Sequence, residues 1–132
     1  MEQKDRDYFD LQVEWVLDRL PEKIIRILNE TPLHVEDQPA KYLRQELDIA
    51  DAEELCGCFS GMPYNESSVF SVGVSMPNIV TIFRRGIIAA SMDEFGKVHR
   101  RELRRQIRIT ILHELAHLHG MDDDEITERG YG

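Results

Sequence analysis

The chain is short of cysteine, of long apolar segments and of positive charge, and each shortage excludes a class of protein. Its two cysteines, Cys56 and Cys58, are too few for a disulfide framework, so we expect reduced thiols. No apolar run approaches the roughly 18 residues needed to span a bilayer. The formal net charge of -9 repels phosphate backbones and argues against broad nucleic-acid binding. These absences leave a soluble globular protein with no membrane association.

The length of 132 residues suits one domain, and we expect a single domain over residues 1–132. The N-terminal residues are charged and lack the short apolar run of a secretory signal. We therefore expect a cytoplasmic protein.

The spacing of apolar residues predicts an α+β fold, with a small mixed sheet packed on helices. Helical spacing is found from Tyr8 to Leu20 and again after Pro21, a polar segment from Lys41 to Glu54 is helical or loose, and a short helix extends to Ala90. Strands are predicted at 33–36, 55–62, 69–74 and 79–83, the last two forming a hairpin. Ser91 followed by Glu94 resembles a capping box ahead of one more helix.

That last long helix is predicted from Val98 to His119, with Gly120 placed to end it. A buried stripe at helical spacing marks its inner face, formed by Leu103, Ile107, Ile111, Leu115 and Leu118. The residues with the strongest chemical signal lie on this helix.

The run His113-Glu114-Leu115-Ala116-His117 fits the pattern H-E-x-x-H. On a helix the two histidines lie one turn apart on one face, so that a single cation can bridge their rings, and neutral imidazoles suit Zn²⁺. Glu114 lies beside that face, where its carboxylate can act as the general base toward an attacking water. We therefore predict His113 and His117 as metal ligands and Glu114 as the catalytic residue.

A catalytic zinc ion usually takes a third protein ligand. The pattern extends to H-E-x-x-H-x-x-G-x-x-D, and Gly120 allows a sharp turn that brings Asp123 toward the imidazoles. Asp123 is our predicted third ligand, and Asp122 and Asp124 are the alternatives, since Asp122 can also cap a short C-terminal helix. His119 points about 240° around the helix from His113 and is not expected to bind the metal.

Two other histidines and one tyrosine are of residue types that occur in such sites. His34, on a predicted strand, and His99, at the start of a basic turn, are not expected to be ligands. Tyr131 is a candidate for stabilising an oxyanion, and the alternative is an aromatic anchor for the C-terminus.

These features together resemble the minimal zincins, a family of small bacterial zincin-like metallopeptidases. The resemblance covers nearly the whole chain: Leu20-Pro21-Glu22, residues 35–39, Gly61-Met62-Pro63, the strand 79–83 with Arg84-Arg85, the extended metal motif and the closing Gly130-Tyr131. It implies a compact α+β core around the zinc helix and zinc-dependent cleavage of a peptide or protein substrate. A substrate is expected to lie extended along a strand edge, with residues 79–83 as the suggested strand.

Two other functions remain open. The segment from His117 to Asp122 also resembles the metal motif of a family of bacterial metal-dependent endoribonucleases, although Glu114 and Asp123 favour a peptidase. The third hypothesis is a non-catalytic, metal-stabilised binding module. An RNA-cleaving enzyme could use the basic stretch ahead of the motif, which comprises Lys97, Arg100, Arg101, Arg104, Arg105 and Arg108. We expect this stretch to be a solvated helix face paired with the chain's acids.

Overall fold

A computed structural model describes residues 1–53, 55–60 and 78–119 of the chain. The described residues form five helices and three strands. The helices are α1 (Gln3–Leu17), α2 (Glu22–Glu30), α3 (Lys41–Glu46), α4 (Arg84–Ser91) and α5 (Arg100–Leu118). The strands are β1 (Leu33–Glu36), β2 (Gly57–Ser60) and β3 (Ile79–Phe83). The predicted α+β class is confirmed.

The three strands form a mixed sheet in the order β1-β3-β2. β1 is parallel to β3, with Leu33 opposite Val80, whereas β2 is antiparallel to β3, with Gly57 opposite Ile82. Because β3 is paired on both sides, it has no edge to offer a substrate, and our suggestion that a peptide binds along residues 79–83 is wrong. Within the described residues, β2 is an outer strand.

The hydrophobic core lies between this sheet and the helices α1 and α5. The five residues of the predicted stripe on α5 are all buried, at most 2% exposed. They share one cluster with Phe9, Val13 and Val16 of α1 and with Val80 and Ile82 of β3. Burial of this stripe holds α5 in a fixed orientation, since roughly 1.5–3 kcal/mol is gained for each large apolar side chain removed from water.

Gly86 allows α4 to approach the chain segment that leads into β2. A Cβ atom at this position would lie 2.0 Å from the main-chain oxygen of Leu55, which is closer than any carbon–oxygen contact. The lack of a side chain therefore permits α4 to pack against the start of β2.

The predicted capping box at Ser91 and Glu94 is wrong. Ser91 is buried at the C-terminal end of α4, where its hydroxyl donates to the carbonyl of Ile87. The turn before α5 is organised instead by Asp93, whose carboxylate accepts hydrogen bonds from the main-chain N–H groups of Phe95 and Lys97. The predicted strand at 69–74 and the helix end at Gly120 lie outside the described residues. The predicted hairpin between 69–74 and 79–83 is wrong, because β1 and β2 occupy both sides of β3.

Candidate metal centre

The two histidines of the H-E-x-x-H motif meet on one face of α5. Their separation of four residues places them one helical turn apart. The Nε2 atoms of His113 and His117 are 3.1 Å apart, and the ring centroids are 4.7 Å apart with the ring planes at 79°. Both side chains are half-buried. The helix therefore presents two imidazole nitrogens to one small volume.

This spacing fits the requirements of a zinc ion. Two nitrogen ligands at about 2.0–2.1 Å from one ion, with a tetrahedral angle between them, lie about 3.3 Å apart. The separation of 3.1 Å between the Nε2 atoms is close to that value. Ligand atoms of His113, Glu114 and His117 all lie within 4.8 Å of one another, and these residues form a group able to hold a metal ion. Two imidazoles with a neighbouring carboxylate on one helix are therefore an arrangement typical of zincins.

Glu114 lies beside the histidines on the side of α5 that faces β2, and it is 7% exposed. A Cβ atom on Gly57 of β2 would lie 3.3 Å from Cγ of Glu114 and 2.8 Å from Cγ2 of Thr110. The glycine thus lets the strand and the helix come close together at the carboxylate. The close approach of β2 therefore limits the movement of the buried Glu114 side chain next to the metal group.

A groove of about 300 Å³ opens at this point between β2 and α5. Its strand side is formed by Leu55, Cys56 and Gly57, and its helix side by Gln106, Ile109, Thr110, His113 and Glu114. One catalytic candidate and one ligand candidate therefore line the same groove, whose size suits a small part of a substrate.

The surroundings of Cys56 and Cys58, near the strand side of this groove, raise the pKa values of both thiols. Burial raises the pKa of Cys56, and it raises the pKa of Cys58 to about 11, with the nearby negative charge of Glu114 adding to both shifts. Both cysteines are free thiols, as expected. They are therefore protonated at neutral pH and poor nucleophiles.

Comparison with known families agrees with this geometry. The sequence profile of the zincin-like metallopeptidases matches residues 28–132. The chain belongs to this family. No protein of curated function matches it in sequence. The match to the zincin-like metallopeptidases covers β1 to α5 and leaves α1 outside the matched range.

The structure does not describe every residue that we predicted for the site. Asp123, its alternatives Asp122 and Asp124, and Tyr131 all lie outside the described residues, and their roles stay predictions. Within the described residues, His34 and His119 are exposed and lie outside the metal-binding group, while His99 hydrogen-bonds Asp93.

Sequence reasoning missed the strand side of the groove. Gly57 and Cys56 are distant from the motif in sequence, and nothing in their own pattern indicates that they lie against Glu114. The helix-side residues Gln106 and Thr110 had a signal, because they precede His113 by seven and three residues and so share its face of α5.

The described residues include no helix that is both long and apolar enough to cross a membrane. This agrees with the absence of long apolar runs in the sequence.

Proposed function

We propose that this zincin-like metallopeptidase is an active zinc-dependent enzyme that cleaves a peptide bond with Glu114 as its general base. The observation that supports this proposal best is the placement of His113, His117 and Glu114. Two imidazole nitrogens converge to 3.1 Å, and a buried carboxylate lies beside them on the wall of an open groove.

Each side chain has a separate task in the proposed reaction. His113 and His117 hold the zinc ion, with Asp123 as the predicted third ligand. When bound, zinc supplies Lewis-acid chemistry, which makes water more acidic and polarises a carbonyl group. Glu114 takes the proton from the attacking water and then passes it to the leaving amine. Because Glu114 is buried on α5 close to Gly57 of β2, its side chain has little room to move away during the two transfers.

The outer strand β2 is the strand edge that we propose for binding the substrate backbone. The main-chain oxygen of Cys56 accepts a hydrogen bond from the N–H of Phe83 in β3. Hydrogen-bonded and non-hydrogen-bonded pairs alternate along antiparallel strands, so the main-chain groups of Gly57 and Phe59 point away from β3. These groups can pair with an extended peptide that lies in the groove beside Glu114.

The endoribonuclease alternative gains no support from the arrangement of basic residues. The arginines near the start of α5 face α1 and line a groove with Trp15, whereas His113 and Glu114 line the groove with β2. An RNA backbone held by these arginines would lie on a different side of α5 from the metal group.

The decisive experiment compares wild type with Glu114→Gln, measuring bound metal together with cleavage of a mixed peptide library and of structured RNA. We expect near-stoichiometric zinc in both proteins and a loss of peptide cleavage of about 10²-fold or more in the variant, because the base is removed while both imidazoles remain. His113→Ala should lose zinc and activity together.

Glu102→Gln is the matched control, since Glu102 lies on the same helix and pairs with Arg105 away from the histidines. It should keep both metal and activity. Wild type without zinc, or with zinc but without peptide cleavage, would contradict the proposal. RNA cleavage that does not depend on Glu114 would favour the endoribonuclease instead.

A further inference from the structure

A second groove, of about 590 Å³, lies between α1 and the first half of α5 and is lined almost entirely by arginine. We call it the arginine groove, and its lining residues are Trp15, Val16, Arg19, Arg100, Arg101, Arg104, Arg105 and Arg108. No acidic residue contributes to this lining within the described residues. The groove is therefore a concentrated positive surface on a chain whose net charge is -9.

The described part of the chain neutralises few of the arginines of this groove. Among the described residues, Arg105 alone of the six forms an ion pair with a carboxylate, that of Glu102 at 3.0 Å. Arg104 donates to the neutral side-chain oxygen of Gln12 instead. Our prediction that the basic stretch is paired with the chain's acids therefore holds at Arg105, and the described residues show no ion pair for the other arginines of the groove.

Two of these arginines contact the same aromatic ring, that of Trp15. The guanidinium carbons of Arg19 and Arg104 each lie 3.9 Å from a ring centroid of Trp15. Attraction between a cation and the aromatic ring offsets part of the repulsion between the two like charges. Burial lowers the pKa of Arg104, and the neighbouring charges of Arg100 and Arg19 lower it further. An anion in the groove would relieve this repulsion.

The sequence of α5 spaces the guanidinium groups for a ligand with several negative charges. Arg100, Arg104 and Arg108 follow one another at four-residue intervals, which is a rise of about 6 Å at each step. Arg100 and Arg101 also lie in the first turn of α5, where the helix dipole already favours an anion. Six arginines and no lysine line the groove, and the planar guanidinium group binds phosphate oxygens in pairs.

The net charge of the rest of the chain favours a compact ligand over a long polyanion. The chain outside these six arginines carries a formal charge of -15, since the whole chain carries -9. Electrostatic interactions extend about 8–10 Å at physiological ionic strength. A nucleic acid or an acidic polypeptide much longer than the groove would be repelled by this net negative charge, whereas a small ligand would stay among the arginines.

We propose that the arginine groove binds a compact polyphosphate, meaning a small molecule with two or more linked phosphoryl groups. Phosphoryl groups concentrate more negative charge in a small volume than carboxylates do, and each can accept a pair of guanidinium hydrogen bonds. The site is separate from the metal group and does not depend on peptidase activity.

The test is calorimetric titration of the zinc-loaded protein with inorganic tripolyphosphate, and with orthophosphate for comparison. We expect tripolyphosphate to bind about tenfold more tightly than orthophosphate, and its affinity to fall as salt is raised. The double variant Arg100→Gln/Arg108→Gln should weaken tripolyphosphate binding by about tenfold or more. Both arginines are exposed and form no ion pair within the described residues, so their replacement should leave the fold intact.

The matched control is Lys4→Gln/Arg26→Gln, which also removes two positive charges from exposed positions but lies outside the groove. This control should bind tripolyphosphate within about twofold of wild type. Removal of zinc by tripolyphosphate would occur equally in all three proteins, so the difference between them reports on the groove. Circular dichroism and metal analysis verify the fold of each variant.

The proposal would be overturned by equal tripolyphosphate affinity in wild type and the groove variant. It would also be overturned if a short single-stranded RNA or a glutamate-rich peptide bound more tightly than tripolyphosphate through the same arginines.

Discussion

At the scale of single residues, Gly57 of strand β2 lies close to Glu114, the proposed general base. A Cβ atom there would lie 2.8 Å from Cγ2 of Thr110 and 3.0 Å from the main-chain oxygen of Thr81. We expect Gly57→Ala to lower the free energy of unfolding by about 1–3 kcal/mol, as overpacking does. It should also reduce peptide cleavage, because the strand or the Glu114 side chain must shift. Denaturant unfolding and cleavage assays measure the two effects.

Two further variants separate the local effect at Gly57 from general destabilisation. Gly96→Ala is destabilising by about 1–2 kcal/mol because Gly96 has a φ of 76°, but a Cβ there has no neighbour within 4 Å. It should therefore keep its activity. Thr110→Ser removes the methyl group that the new Cβ at position 57 would meet, and it keeps the hydroxyl that donates to the carbonyl of Gln106. The double variant Gly57→Ala/Thr110→Ser should therefore recover part of the stability and activity lost in Gly57→Ala. Full activity in Gly57→Ala would show that Glu114 does not depend on this packing.

At the scale of the secondary-structure elements, binding of a peptide along β2 would make cleavage sensitive to changes in the peptide backbone. Gly57 and Phe59 point their main-chain groups away from β3, so only every second residue of a bound peptide would form hydrogen bonds with β2. Consider a peptide that the enzyme cleaves, N-methylated at every second amide so that the amides facing β2 are blocked. Its cleavage rate should fall by about tenfold or more. N-methylation of the other set should have little effect.

The N-methylated peptides keep all side chains, and each set serves as the control for the other. Equal losses for both sets would contradict binding by strand addition. The Glu114 proposal would still stand in that case, because the general base acts on the water and not on the peptide backbone.

At the scale of the whole molecule, a network of two arginines and two aspartates joins α1 to the residues after β1 and to the start of α4. Arg6 binds Asp37 at 2.7 Å, and Arg84 binds both Asp37 at 2.9 Å and Asp10 at 3.0 Å. Hydrogen bonds from Arg6 and then from Arg84 lower the pKa of Asp37 from 3.8 to about 2. The network connects elements that are far apart in sequence.

The lowered pKa of Asp37 fixes the direction of the pH dependence. Because the carboxyl is more acidic in the folded chain than in the unfolded chain, its contribution is complete above about pH 4 and is lost as the pH falls toward 2. We expect Asp37→Asn to lower the free energy of unfolding by about 1–3 kcal/mol at pH 7. The difference from wild type should shrink between pH 4 and pH 2.

Thermal unfolding of both proteins at several pH values measures this difference. Glu22→Gln is the control, since it breaks an ion pair with Arg26 that is mostly exposed and should change stability by less than about 1 kcal/mol. A difference between Asp37→Asn and wild type that stays constant from pH 7 to pH 2 would contradict the role of the charged network.

The sequence by itself determined most of the described helices and strands and the three central residues of the metal motif. Periodicity is a local property, so the buried stripe of α5, the strands 33–36 and 79–83, and the pairing of His113 with His117 on one helical face could be read from spacing alone. The α+β class followed from the same patterns. The roles assigned to Asp123 and Tyr131 stay predictions, since both lie outside the described residues.

Only the tertiary structure decided which strand is central and which distant residues meet. Strand order depends on contacts between segments far apart in the chain, and for this reason β3 was mistaken for an edge and Gly57 was not connected with Glu114. The arginines of α5 likewise carry a periodic signal, but their meeting with Trp15 and Arg19 depends on the packing of α1 against α5. Arginines that are spaced regularly along one helix line a groove only when a second helix forms its other wall.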